Sequence, residues 1–207
     1  MIEPQWIRWA RELQAIAQTG NHFSTSDYDR ERYQRISEIA AEIFAQQGDI
    51  EGSKIRTIFE AQSGYATPKV DVRAAVFRDD KILLVQERSD GRWTLPGGWA
   101  DVNDSPSEAV QKEVLQESGF RARTERLLAV FDRAKHPHDP PFPFHIYKMF
   151  FLCKIESGEA TPSLETSSVE FFRMEALPPL SLSRITEEQI QFCFRAGLNS
   201  TIPTAFD

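Results

Sequence analysis

Gly98-Trp99-Ala100-Asp101-Val102-Asn103-Asp104-Ser105-Pro106-Ser107-Glu108-Ala109-Val110-Gln111-Lys112-Glu113-Val114-Leu115-Gln116-Glu117-Ser118-Gly119-Phe120 is the stretch on which the reading of this chain turns. Ser105 suits an N-cap, Pro106 suits the first helical position, and Glu108 three residues on completes a capping box. Gly119 closes the helix. Glu113 and Glu117 stand at i and i+4, so both carboxylates lie on one face, and Gln116 at i+3 shares it. Val110 and Val114, roughly a third of a turn away, can bury the helix against a sheet. Like charges at this spacing cost a bare helix about 0.2–0.5 kcal/mol, which invites a cation as compensating partner. Hard oxygen ligands of this kind describe a magnesium or manganese site. The double glycine Gly97-Gly98 lets backbone approach closely, and the Gly97 carbonyl can add another oxygen ligand.

Working outward, the flanks read as strands. Val70–Phe77 is rich in β-branched and small residues, Asp79-Asp80 signals a turn, and Ile82–Val85 follows, which predicts a hairpin. Trp93-Thr94-Leu95 leads into the glycines. Strands follow at Leu127–Phe131 and His145–Ile155, separated by a loop with His136, His138 and four prolines, and a last strand takes in Val169–Phe172. Thr186-Glu187-Glu188-Gln189 opens a closing helix with Ile190, Phe194 and Leu198 on one face. The tail from Asn199 reads as loose.

Before Gly64 the period is helical. Trp6, Trp9, Ala10, Leu13, Ile16 and Ala17 form one pattern, stopped by Gly20-Asn21. Ser24–Asp27 supply N-caps for a second, with Tyr33, Ile36, Ala40, Ile43 and Phe44, closed by Gly48. A weaker third uses Ile50, Ile55, Ile58 and Phe59. The boundary falls between residues 1–64 and 65–207. Three helices alone make a marginal core, so this segment needs further packing, on its own chain or on a second copy.

The chain has 207 residues, 24 basic and 31 acidic, for a net charge of −7. That balance argues against a chain that holds nucleic acid by neutralising phosphates, and no apolar run reaches the roughly 20 residues of a membrane span. The N-terminus lacks the pattern of a signal peptide. Two cysteines, Cys153 and Cys193, are too few for a disulfide scaffold, which predicts a reduced, cytoplasmic protein with buried thiols. Much of the charge is local: Asp101, Asp104, Glu108, Glu113 and Glu117 face one base, Lys112, across the quoted stretch.

That stretch, preceded by Leu95-Pro96-Gly97, resembles the signature box of the Nudix hydrolases. Gly98, Glu113, Val114, Glu117, Gly119 and Phe120 match it; Asp104 stands where the family has Glu, Lys112 where it has Arg, and Gln116 where it has Glu. The resemblance implies an α/β fold, a Nudix-type α/β/α sandwich with a mixed sheet, preceded by a small all-α domain. It implies Mg²⁺- or Mn²⁺-dependent cleavage of a nucleoside diphosphate linked to another group, giving a nucleoside monophosphate and a phosphorylated product. It assigns Glu117 and the Gly97 carbonyl to the metal, Glu113 to the metal or to general-base work, and Asp104 with Lys112 to an ion pair that steadies the helix. Gln116 can still coordinate through its amide oxygen but brings no charge.

Trp6-Ile7-Arg8-Trp9-Ala10, Asp29-Arg30-Glu31-Arg32-Tyr33, Phe131-Asp132-Arg133 and His145-Ile146-Tyr147-Lys148 are similar to a Nudix subgroup described as ADP-ribose or CDP-choline pyrophosphatases. That similarity implies a homodimer joined through the N-terminal helices. Arg92 and Trp99 flank the glycine turn, where Arg can meet a phosphate and an aromatic face can stack a base; Trp93 reads as core. Lys135 and His136 are further candidates for the substrate, and His136-Pro137-His138 lacks the remaining ligands of a zinc site. Glu170 reads as the better extra metal ligand and Glu165 as a mobile base near the substrate. A rival reading makes the altered box a nucleotide sensor that signals through the helical segment.

Overall fold

The computed structural model describes residues 3–47 and 51–207. The expected stop at Gly48 and the expected apolar position Ile50 lie outside the described residues. Two compact units emerge, one of residues 1–69 with 141–145, the other of residues 70–140 with 146–207.

The first unit holds α1 (Gln5–Phe23), α2 (Asp27–Gln47) and α3 (Gly52–Glu60). Ile7, Ala10, Ala40, Ala41, Phe44, Ile55 and Phe59 form its core. Trp6 joins that core, edge-on to Phe44 at 5.8 Å, while Trp9 is exposed. Gly20 does not stop α1, which runs on to Phe23. A Cβ there would sit 2.4 Å from the Tyr33 ring, so this glycine admits an aromatic side chain rather than ending a helix. Gln14, buried on the inner face, accepts a 2.7 Å hydrogen bond from the Ser37 hydroxyl.

The second unit is built on a mixed seven-stranded sheet of β1 (Lys69–Arg78), β2 (Lys81–Glu87), β3 (Trp93–Thr94), β4 (Phe120–Asp132), β5 (Ile146–Gly158), β6 (Thr166–Phe172) and β7 (Ala205–Phe206). The order is β3-β2-β1-β5-β4-β7, with β6 paired to β2. The helix α4 (Pro106–Ser118) covers one face through Ala109, Val110 and Val114, and α5 (Glu187–Leu198) covers the other through Ile190, Cys193 and Ala196. Ser105 and Glu108 make the capping box, and Gly119, left-handed at φ 76°, closes α4. Cys153 and Cys193 are both buried free thiols. Among the described residues no helix is long and apolar enough to cross a membrane.

Two expectations need correction. β4 is longer than its apolar run suggests, because Arg121, Arg123 and Glu125 interrupt the hydrophobic pattern yet sit on the exposed side, with Arg123 paired to Glu125 at 2.9 Å and to Glu156 at 3.6 Å, and β5 runs on past Ile155 to Gly158 to pair with it. The C-terminal tail is not loose. Arg126 donates to the Ile202 carbonyl at 2.7 Å and to those of Ala196 and Asn199, the Thr204 hydroxyl reaches the Leu127 carbonyl, and β7 pairs in parallel with Ala129 and Val130. An unpaired strand edge offers backbone partners that no side-chain pattern announces.

Beyond its short pairing with β2, β1 takes a different partner. The Ala74 and Val72 amides donate to the carbonyls of Pro96 and Gly98, each at 2.8 Å, and the Ala100 amide donates to Val70. Gly97 lies between these bonds at φ 141°, where a Cβ would come 2.0 Å from the Val72 carbonyl oxygen. No side chain fits that space. Gly97→Ala should therefore cost about 3 kcal/mol or more of stability, measured by urea unfolding, through combined overpacking and backbone strain. A loss below about 1 kcal/mol would show that the turn yields easily.

Candidate active site

The turn Leu95–Gly98 is pinned to β1, and α4 comes back over it. The Gly97 amide donates to Glu117 Oε2 at 2.8 Å. The Glu113 carboxylate lies beside the next residue, within 3.2 Å of where a Gly98 side chain would begin. Helical spacing thus delivers two carboxylates to one glycine turn, as period 3.6 requires. The Glu117 carbonyl in turn accepts from the Thr166 hydroxyl at 2.7 Å, tying the end of α4 to the start of β6.

Burial dominates the electrostatics. Glu117 is 5% exposed. Loss of water raises its pKa to about 8, against the opposing pull of Arg73 and of the Gly97 N–H, with Glu113 and Glu87 adding repulsion. Glu113 is raised as well, by burial first and then by Glu165, Asp71 and Asp101, while Arg73 lowers it. Glu87, at the end of β2 and 3.1 Å from the Arg184 guanidinium, is raised by burial and by Asp90 and Glu165. Four glutamates, 87, 113, 117 and 165, therefore sense one another's charge in this region.

The outer helix face carries Lys112, 2.6 Å from Asp101 and 3.2 Å from Asp104. These exposed contacts are screened by solvent and add little to stability. Gln116 points into solvent, unlike the buried Glu117 beside it. Glu170 lies opposite Leu84 in β6, exposed, and its neighbours Val169 and Phe171 take the α4 face, so strand alternation sends Glu170 to the other side of the sheet. The charge of the loop residue Glu165 reaches Glu113 and Glu87.

Arg92 and Trp99 are exposed on either side of the turn, and Trp93 is core, edge-on to Phe172 at 4.8 Å. Lys135 is exposed in the short turn after β4. His136 packs on Phe131 and comes 3.4 Å from Asp207. His138 is partly buried: it bonds the Leu182 carbonyl at 3.0 Å, and burial, with Arg133 and Lys148 adding, drives its pKa to about 3.

Sequence reasoning missed Asp71, Arg73, Glu87 and Lys148. Arg73 forks onto Asp71 at 3.0 and 2.7 Å, and Lys148 reaches the same carboxylate at 2.5 Å. Against the burial that would raise it, Arg73 and Lys148 hold Asp71 at about 2. For Asp71, Arg73 and Lys148 the available signal was three charges inside otherwise apolar strands.

Among the described residues no three His, Cys, Asp or Glu side chains converge to hold a metal ion by themselves. The donors present nevertheless suit Mg²⁺, which is commonly held by one or two carboxylates with water and substrate phosphate completing the shell. Glu113, Glu117 and the Gly97 carbonyl are hard oxygen donors around one turn.

Residues 67–193 match the family model of the NUDIX domain, and residues 4–59 match that of the UDP-X-like, N-terminal oligomerisation domain. The chain belongs to the Nudix family. Within it the chain is a pyrophosphohydrolase, similar over its whole length to a Bacillus subtilis protein named "Putative ADP-ribose pyrophosphatase YjhB", at 41% identity over 100% of this chain and 99% of that one. A crystal structure of an ADP-ribose pyrophosphatase from Streptococcus suis is 44% identical, with TM-score 0.62, over 68% of this chain and 100% of the other. That of a UDP-X diphosphatase is 34% identical, with TM-score 0.64, over 98% of both chains. Nudix hydrolases generally use divalent metal ions.

In the presence of a chelator, Glu117 keeps its proton up to about pH 8 when folded but releases it near 4.5 when unfolded. The folded state binds the extra proton between those values, so stability falls as pH rises through that window. Glu117→Gln should flatten the decline of Tm with pH in EDTA, leaving the smaller slope due to Glu113 and Glu87. An unchanged slope would mean that Glu117 ionises normally.

Proposed function

We propose that this enzyme hydrolyses the pyrophosphate bond of ADP-ribose or a close relative, such as CDP-choline, giving a nucleoside monophosphate and a phosphorylated partner group. The observation that carries this reading is the Gly97 N–H bonded to buried Glu117 beside Glu113, within a chain similar over its full length to a protein named for ADP-ribose. Glu113, Glu117 and the Gly97 carbonyl would hold Mg²⁺ or Mn²⁺, which supplies charge neutralisation for the phosphoryl oxygens. The chain's own residues do the rest. Gly97 and Thr166 orient α4 and its carboxylates. Glu165 takes the proton of the water that attacks phosphorus as the bridging P–O bond breaks. Arg92 and Trp99, with Lys135 and His136, contact the diphosphate and the base. The Asp104–Lys112 pair steadies the outer face of α4, and Gln116 contributes no charge.

The enzyme acts as a cytoplasmic homodimer joined through residues 1–64. Trp9, Ile16 and Phe23 are 58%, 49% and 63% exposed at seven-residue intervals, opposite the inner face of Ile7, Ala10, Gln14 and Ala17. An exposed apolar stripe at that period fits a partner helix. A cavity of about 740 Å³ opens on the same side, lined in part by Ile16, Gly20, Phe23 and Tyr65.

Incubation with Mg²⁺ or Mn²⁺ and ADP-ribose, CDP-choline, UDP-sugars, NADH, diadenosine polyphosphates and capped RNA should show preferential cleavage of ADP-ribose. Glu117→Gln should cut turnover by about a hundredfold or more while the circular dichroism spectrum stays unchanged. Binding without cleavage would favour the sensor reading. Ile16→Glu combined with Phe23→Glu should halve the mass measured by sedimentation equilibrium. A dimer that survives this change would place the interface elsewhere.

A further inference from the structure

We infer that Arg73 is a positioning residue for the active-site turn: its buried guanidinium ties β1 to the Leu95 carbonyl and so keeps the Gly97 N–H aimed at Glu117. Arg73 is 4% exposed. Two of its nitrogens fork onto Asp71, and the third, Nη1, donates to the Leu95 carbonyl at 3.1 Å and approaches the Thr94 hydroxyl at 3.4 Å. The two carbonyls further along the turn, of Pro96 and Gly98, are taken by main-chain amides of β1. Of the hydrogen bonds that attach this turn to β1 among the described residues, the one to Leu95 comes from a side chain and those to Pro96 and Gly98 from backbone, so a substitution can release it.

Charge points the same way. Arg73 and Lys148 place two cations on a single buried anion, Asp71, leaving one positive charge in surplus. A buried ionic group can often be replaced by apolar residues without loss of stability, so burial of a surplus cation argues for a task other than holding the fold. Glu117 and Glu87 both interact favourably with Arg73, so the surplus faces the acids of the site. Lysine cannot substitute, because a point charge lacks the planar fork that reaches Asp71 and Leu95 together.

Arg73→Lys keeps the charge and removes the fork. The inference rests on the proposed metal-dependent hydrolysis for its kinetic readouts but not for its direct one. Hydrogen–deuterium exchange of the peptide spanning residues 93–101 should accelerate by about tenfold or more, while exchange over α5 stays unchanged. Mn²⁺ binding without nucleotide, followed by electron paramagnetic resonance, should weaken by about tenfold. The kcat should fall by about tenfold or more with KM for the nucleotide nearly constant, as misplacement of a catalytic turn requires. A lowered Tm with wild-type exchange in the turn and wild-type Mn²⁺ binding would overturn the inference and leave Arg73 as a fold residue. If the wild type itself neither binds Mn²⁺ nor cleaves nucleotides, the proposed function fails, and exchange in the turn still decides the role of Arg73. Should Arg73→Lys not fold, Asp71→Asn loosens the same fork and is read by the same measurements.

Discussion

A backbone amide and a buried carboxylate, those of Gly97 and Glu117, meet at 2.8 Å, and most of the site follows from that contact. The amide can reach the carboxylate only because the turn lies flat against β1, where a Cβ would collide with the Val72 carbonyl. The turn lies flat because β1 trades its pairing with β2 for hydrogen bonds to Pro96 and Gly98. Helix α4 is held at the required angle by Val110 and Val114 in the core, its N-terminal capping box and its left-handed C-cap glycine. Glu113 then needs nothing further, since helical spacing sets it beside Glu117.

The second constraint is electrostatic. A carboxylate at the bottom of a largely apolar fold is driven toward its neutral form, and neighbouring glutamates increase that tendency. Buried cations oppose it, with Arg73 foremost at both Glu113 and Glu117. An acidic chain that handles an anionic substrate is thereby reconciled with physics: the acids are gathered where a divalent ion can be shared with phosphate, and an internal cation keeps them from being wholly neutralised.

How much of this was legible depended on the range of the interaction. The boundaries of α4 were readable, since Ser105, Pro106, Glu108 and Gly119 act within one turn of the ends they define. The β1–β2 hairpin was readable from Asp79 and Asp80, which adopt positive φ of 51° and 55° as a tight turn needs. The face that Glu170 takes was not legible because a run of apolar neighbours does not say which side an odd or even position will occupy; only its pairing with Leu84 and the core positions of Val169 and Phe171 do. Gly20 was misjudged because helix termination and close packing ask for the same residue. Asp71, Arg73 and Lys148 passed as interruptions in strands, although a charge at an inward position is itself a sign of a buried partner.

Local sequence by itself therefore determined the helices, the hairpin, the side-by-side placement of Glu113 and Glu117 and the family resemblance, because capping, turn conformation and i,i+4 spacing are set by residues a few positions apart. Tertiary structure alone decided which acids stand together, which cation answers them and where the C-terminal tail runs. Those outcomes depend on contacts between residues far apart in the chain, Gly97 with Glu117, Asp71 with Lys148 and Arg126 with Ile202. Such contacts exist only once the sheet has brought distant backbones within hydrogen-bonding distance, and no pattern in one segment can specify its partner in another.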